Sequence, residues 1–537
     1  MKFKIFLSIP ILFTSIVMAA QDTTKGKKIE ITSSFKPSLK PSAKIDFNPT
    51  ATGQDTVRPK LLYRVPVQNL SFNIYPASLQ PAAMEPDTTV PYANGGYAKL
   101  GYGNFNTPYA AAAISFGDGK RQSGSLQGSF ISSKGKLPFQ QFSKWNVLGN
   151  GLFTSGANSK LKLGAGIEQF RIHKYGFKPD TLKFTKNQLL QRFSTFNINA
   201  GYSNNVPNEF GLNYSPAMNL WLFTDNNDGK ESHFQVVAPF DRPINDNLKF
   251  GVELQADLVK FTGKTASSTN NLFSIIPSLT WGNEAFVLKA GVMPSWDNRV
   301  FKLLPDIELE AHIPNQSFMG LAGWKGYFDV NSYRNLAGFN PWIEQPKNIF
   351  NTRNTEMYAG IKGNTGEHFS YVAKVGFVQR NNVALFLNDS SDGKTYRVIM
   401  EPKINSIKLQ GEISYQKADN FYWNAGFKAQ TFGGLSVNKE AYDLIPLEIN
   451  SHFKAKIFKD FYVTADLFYF EGNWYKTKNS TDKTKVALDL NAGLEFRVAK
   501  NVMLWLQFNN LFNSRYQRWQ QYPVLGFQAL GGVKINF

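Results

Sequence analysis

Five histidines, His173, His233, His312, His368 and His452, are the chain's whole supply of imidazole, and its 537 residues contain no cysteine. No histidine has a second His, Asp or Glu at a metal-ligand spacing on one face, so each reads as a loop or turn residue. Without cysteine there is no disulfide framework and no thiolate chemistry. A catalytic histidine would need a Ser or an acid beside it, and no motif supplies one. Asp225-Asn226-Asn227-Asp228-Gly229 and Asn388-Asp389-Ser390-Ser391-Asp392-Gly393 look superficially like calcium loops. Neither has an acid at the twelfth place, which after Asn388 is Ile399, so both read as turns at loop tips. Gly101 and Gly103 precede no helix and form no phosphate cradle. The net charge of +19 is spread thinly, with no dense basic run, so nucleic acid is not indicated as a partner. The sequence therefore points away from an enzyme and implies no metal and no cofactor.

What the sequence does carry is alternation. Phe461, Val463, Ala465, Leu467 and Tyr469 share one face of an extended segment, and Tyr462, Thr464, Asp466 and Phe468 share the other. Val486, Leu488, Leu490, Ala492, Leu494, Phe496 and Val498 likewise oppose Asp489, Asn491, Glu495 and Arg497. Leu248, Phe250, Val252, Leu254, Ala256 and Leu258 oppose Lys249, Glu253, Gln255 and Asp257. Ile407, Leu409, Ile413 and Tyr415 oppose Lys408, Gln410, Glu412 and Ser414. A smooth apolar face backed by charges of both signs fits a lipid-facing wall around a wet, self-neutralising lumen.

Composition agrees: aromatics are 15%, glycines number 42, and mean hydropathy is only −0.30. No stretch beyond the first twenty residues is long and apolar enough for a membrane helix. Short turns at 118–124, 156–158, 204–208, 245–247, 282–284, 314–316, 363–367, 417–420, 459–460 and 500–501 alternate with longer polar loops at 133–144, 173–187, 224–232, 262–271, 331–355, 431–444 and 472–483. That rhythm belongs to outer-membrane barrels, and counting between these points gives about 22 strands, or 20. The fold class is an all-β, antiparallel transmembrane barrel.

The ends set the domains. Lys2 and Lys4 precede an apolar run from Ile5 to Met18, and Val17-Met18-Ala19-Ala20 supplies small residues for cleavage after Ala20. Residues 1–20 read as a signal peptide. Residues 21–95, with nine prolines, read as an extended periplasmic arm or reduced plug, and residues 96–537 as the barrel. Phe537 closes the chain, with Ile535, Val533, Ala529 and Phe527 at even spacing before it. A final strand ending on an outward aromatic looks like the signal read by the barrel-assembly machinery.

Asn509-Asn510-Leu511-Phe512-Asn513, Arg515-Tyr516-Gln517-Arg518-Trp519, Tyr522-Pro523 and Gly532 to Phe537 resemble the closing strands of TonB-dependent receptors of the Bacteroidota type. The resemblance covers the C-terminal fifth. It implies a barrel of about 22 strands in the outer membrane of a Gram-negative cell, moving or gating a solute. It also implies a plug domain preceded by a TonB box, and the segment from Gln21 to about Asn94 is short for such a plug. Lys28 to Thr32, centred on Ile29, Glu30 and Ile31, resembles a degenerate TonB box, which would pair with TonB as a strand. A barrel this wide needs a filler. The arm, an inward fold of loop 331–355 with Trp342, or a partner protein would each serve. The alternative function is a non-transporting scaffold whose arm recruits a periplasmic or lipoprotein partner.

Overall fold

The computed structural model describes residues 94–537, except 120, 156–158, 314–317, 418–419 and 478–479. The expected cleavage after Ala20, the arm and the segment Ile29, Glu30 and Ile31 lie outside the described residues. Alternating segments become strands because each can offer apolar side chains to lipid and polar ones to the lumen.

Twenty-two antiparallel strands, joined by the two-residue strand Asn213–Tyr214, form one sheet that closes on itself. Each pairs with its neighbours along the chain, and the first, Gly95–Gly103, pairs with the last, Gln528–Asn536. Closure is a backbone matter. Gly101 lies opposite Gly532. A Cβ on Gly532 would strike the Leu100 carbonyl, and one on Gly101 would strike the Trp505 ring. The Trp505 indole lies across this seam and donates to Leu100 O at 3.2 Å.

The two faces fall as the sequence indicates. Phe250, Leu254 and Leu258 stand out from the wall, while Asp257 of the same strand is 4% exposed. Ile407, Leu409, Leu488, Phe496 and Leu504 are exposed in the same way. Such a surface, apolar on strand after strand, belongs in lipid. The chain is an outer-membrane β-barrel. Inside, ion pairs tie adjacent strands, Lys289 to Asp306 at 2.7 Å and Lys325 to Glu308 at 2.5 Å, and reach across an intervening strand, Lys362 to Glu310 at 2.6 Å and Lys408 to Glu356 at 2.5 Å.

The connections differ from the sequence reading in detail. The tip expected at 262–271 is a tight turn, because the strands Leu248–Thr262 and Ser267–Gly282 run on to meet it. The short turn expected at 204–208 is longer, and Tyr214 pairs there with Phe240. Loop 472–483 holds a small hairpin, Trp474–Lys476 with Thr481–Lys483. The strands Phe369–Asn388 and Tyr396–Lys417 have 20 and 22 residues, about twice the 9–11 that cross a bilayer. Their excess length projects beyond the rim.

Candidate functional site

One end of the barrel carries Gly95, Phe537 and mostly short turns, and the other carries the long loops together with tight turns such as 263–266. Loop 330–351 turns inward over this second opening. Its helix Tyr333–Phe339 starts at Ser332, whose hydroxyl accepts from Asn335 N at 3.1 Å. Glu231, on the strand Lys230–Pro243, accepts from the backbone N–H of Tyr333 at 2.5 Å and of Arg334 at 3.2 Å. A carboxylate there satisfies amides that the first helical turn leaves unpaired. The Tyr333 hydroxyl donates to Asp225 Oδ2 at 2.7 Å, and Gln345 Nε2 donates to the same oxygen at 2.9 Å. Further on, Trp342 Nε1 donates to His173 O at 3.2 Å.

Loop 510–527 meets this insertion. Trp342 stacks on Tyr522 with ring centroids 3.9 Å apart, and Tyr175 meets Tyr522 edge-on at 4.9 Å. Trp519 packs against Phe339, Phe386 and Tyr396 at 5.4, 5.2 and 5.3 Å. Tyr396 donates to Gln520 O at 2.9 Å, and Tyr175 donates to Pro523 O at 3.0 Å. These rings belong to one buried cluster with Phe193, Phe223, Phe261 and Leu336. Its members come from strands around the ring. Lys178 N donates to Asp392 O at 2.8 Å, joining loop 174–189 to loop 389–395. Ten strands separate those two loops in a ring of twenty-two, so this contact crosses the opening. The loops form a folded cap.

A second layer covers the far face of the projecting hairpin. Val383, Leu385 and Ile404 pack there with Ala441 and Tyr442 of loop 431–446. Glu401, wholly buried, fixes that loop by accepting from the backbone N–H groups of Ser436, Val437 and Asn438 at 2.6 to 3.0 Å. Asp443 sits at φ 60°, a left-handed conformation that Asp tolerates better than most residues. Burial pushes its carboxyl up to about 8, although the Arg518 guanidinium and the Asn473 amide both pull it down. Arg518 Nη2 donates to Asp443 O at 2.8 Å, with its guanidinium 4.4 Å from the Trp519 ring centre.

The histidines correct the sequence reading. His233 and His452 are strand residues on the lumen face. His233 Nε2 lies 2.8 Å from Asp257 Oδ1, and His452 Nδ1 lies 2.6 Å from Asp466 Oδ1. Each acid comes from the neighbouring strand, 24 and 14 residues away, so spacing within one segment could not reveal it. His173 ends its strand rather than sitting in a loop, as does His312, and His368 lies in a turn. Among the described residues no three His, Cys, Asp or Glu side chains are grouped to hold a metal. Asp225 behaves as a turn residue: its Oδ1 accepts from Asn227 N and Gly229 N, both at 2.7 Å. Gly101 and Gly103 are strand glycines. Val533, Ile535 and Phe537 point outward with 39, 48 and 64% exposure, and Phe527 precedes the last strand on the same side. The inward fold of loop 331–355 is present as one of the three fillers considered. The residues that sequence reasoning missed are its partners, above all Tyr175, Glu231, Tyr396 and Tyr522.

No protein-family model matches the sequence, and no curated protein matches it. Solved structures do match in fold. The FrpB iron transporter from Neisseria meningitidis superposes with a TM-score of 0.64 at 12% identity, over 83% of this chain and 82% of that one. The siderophore receptor PirA from Acinetobacter baumannii gives 0.63 at 9% identity, over 83% and 81%. The ferripyoverdine receptor of the outer membrane of Pseudomonas aeruginosa gives 0.60 at 10%, over 83% and 72%. The fold is thus the 22-stranded barrel of TonB-dependent outer-membrane receptors, as the C-terminal resemblance implies.

Proposed function

We propose that this chain is a gated, non-catalytic outer-membrane barrel that moves a solute, seen with its outer opening shut by its own loops. The observation that carries this reading is the cap, whose hydrophobic core ties together strands on opposite sides of the ring. The barrel likeness to iron and siderophore receptors supports it. Short turns face the periplasm in such barrels, which puts the cap at the cell surface. On this reading residues 1–20 are cleaved after Ala20, and residues 21–95 work in the periplasm, engaging TonB through Ile29, Glu30 and Ile31 or a periplasmic or lipoprotein partner. Phe537, Ile535, Val533 and Phe527 are the face offered to the barrel-assembly machinery.

Planar-bilayer conductance tests the proposal. Trp342→Ala and Tyr522→Ala remove the stacked pair, each at a cost of about 3–5 kcal/mol to the cap if fully felt. The wild-type mature chain is expected to be silent. Either variant, combined with removal of residues 21–93, which leaves the first strand Gly95–Gly103 whole, is expected to show openings. Silence of those combined variants, together with stoichiometric copurification of another protein, would overturn transport in favour of a scaffold.

A further inference from the structure

In the ladder described above a carboxylate stands beside each lysine. The lumen wall is unbalanced at the closure seam. Lys99 and Lys534 lie directly opposite each other on the first and last strands. Like charges in that arrangement repel across a sheet. Glu495 lies between them, 3.0 Å from Lys99 Nζ and 4.0 Å from Lys534 Nζ, with its side chain 7% exposed. Lys454 and Arg497 also face Lys534 within electrostatic reach. Arg497 leans on Asp460 at a looser 3.6 Å, and Lys454 makes no ion pair among the described residues. Lys534 therefore sits among three other cations, Lys99, Lys454 and Arg497, with Glu495 and Asp460 as their carboxylate partners, near the end that carries Gly95 and Phe537. Lys99 sits 4.4 Å over the Trp505 ring and Lys534 sits 5.1 Å over the Tyr97 ring, so aromatic faces hold both ammonium groups in place.

A partly dehydrated cluster with this excess of positive charge attracts an anion. Its ammonium and guanidinium groups suit the oxygens of a phosphate or a carboxylate. We propose that the seam cluster Lys99, Lys454, Arg497 and Lys534 is a binding site for a phosphate-type anion entering the lumen from the turn end. It is separate from the cap and does not depend on the transport reading.

Isothermal titration of the full mature chain with sodium pyrophosphate, in a non-ionic detergent near neutral pH, tests the site. Saturable binding is expected, tighter than that of inorganic phosphate. Lys534→Gln should weaken it roughly tenfold or more, through loss of a charge-assisted contact. Lys534→Arg should retain it. Glu495→Gln should tighten it, a gain that damaged folding would not produce. Lys289→Gln, in the balanced ladder, should leave it unchanged. Equal heats from sodium chloride at matched ionic strength, or equal pyrophosphate binding by Lys534→Gln, would overturn the proposal. Repeating the titration in anionic and zwitterionic lipid discs identifies the source. Binding blunted only in anionic discs assigns a lipid headgroup, and equal binding in both assigns a soluble anion.

Discussion

Asp443 shows how a single side chain can couple the cap to its surroundings. Its buried carboxyl keeps its proton up to about 8, so the closed loop binds protons more tightly than the opened one. That contribution is complete below the ordinary carboxylate range and is lost as pH rises through about 8. Amide exchange around residues 440–446, corrected for intrinsic rates, should therefore show protection falling between about pH 6 and pH 9. Asp443→Asn should abolish that dependence. A fall of the same size in the Asn variant would place the titrating group elsewhere. Glu231 holds the cap by a different contact, because its oxygens receive two helix amides. Glu231→Ala would leave those buried donors unpaired, at about 1–3 kcal/mol each. It should expose loop 330–351 to protease while the barrel stays heat-modifiable on gels. Unchanged protease resistance would show that the aromatic core alone holds the helix.

Elements were legible in the sequence to the extent that their environment is periodic. The strand Phe461–Phe470 and its neighbour Ala487–Ala499 meet lipid on one side and water on the other, and alternation encodes that directly. Leu490 stands on the outer face of its strand, paired with Leu467. Leu490→Arg should destabilise the barrel by about 2–4 kcal/mol if it lies near the midplane. Near-wild-type urea resistance of the refolded variant would refute that placement. Loops offer no such period. Nothing within loop 330–351 announces that Trp342 will rest on Tyr522, since the two are brought together by ring closure and not by local pattern. Tyr396 and Glu401 were hidden for a related reason, because they lie where a strand outgrows the membrane and alternation no longer separates lipid from lumen. The two His–Asp pairs were lost to register, which a single sequence does not state.

For the molecule as a whole, Phe537 has two roles to disentangle. Its backbone exchanges hydrogen bonds with Gly96 at 2.7 and 2.9 Å, and its ring stands outside the wall. Deleting it removes both, whereas Phe537→Ala removes only the ring. If the ring is read by the assembly machinery, Phe537→Ala should lower the amount of barrel in cells and leave refolding into detergent unchanged. Equal loss in both settings would mean that the ring matters for stability alone.

The contact between Lys178 and Asp392 spans the full width of the opening. Loops rooted ten strands apart meet only where the sheet between them has curled through nearly half the ring. The cap therefore depends on the wall beneath it having its strands in place and curved. A barrel with a strand missing or misregistered would leave the cap's aromatic side chains bare to solvent and to proteases. The residues that shut the opening are thus also the residues whose burial depends on the wall beneath them.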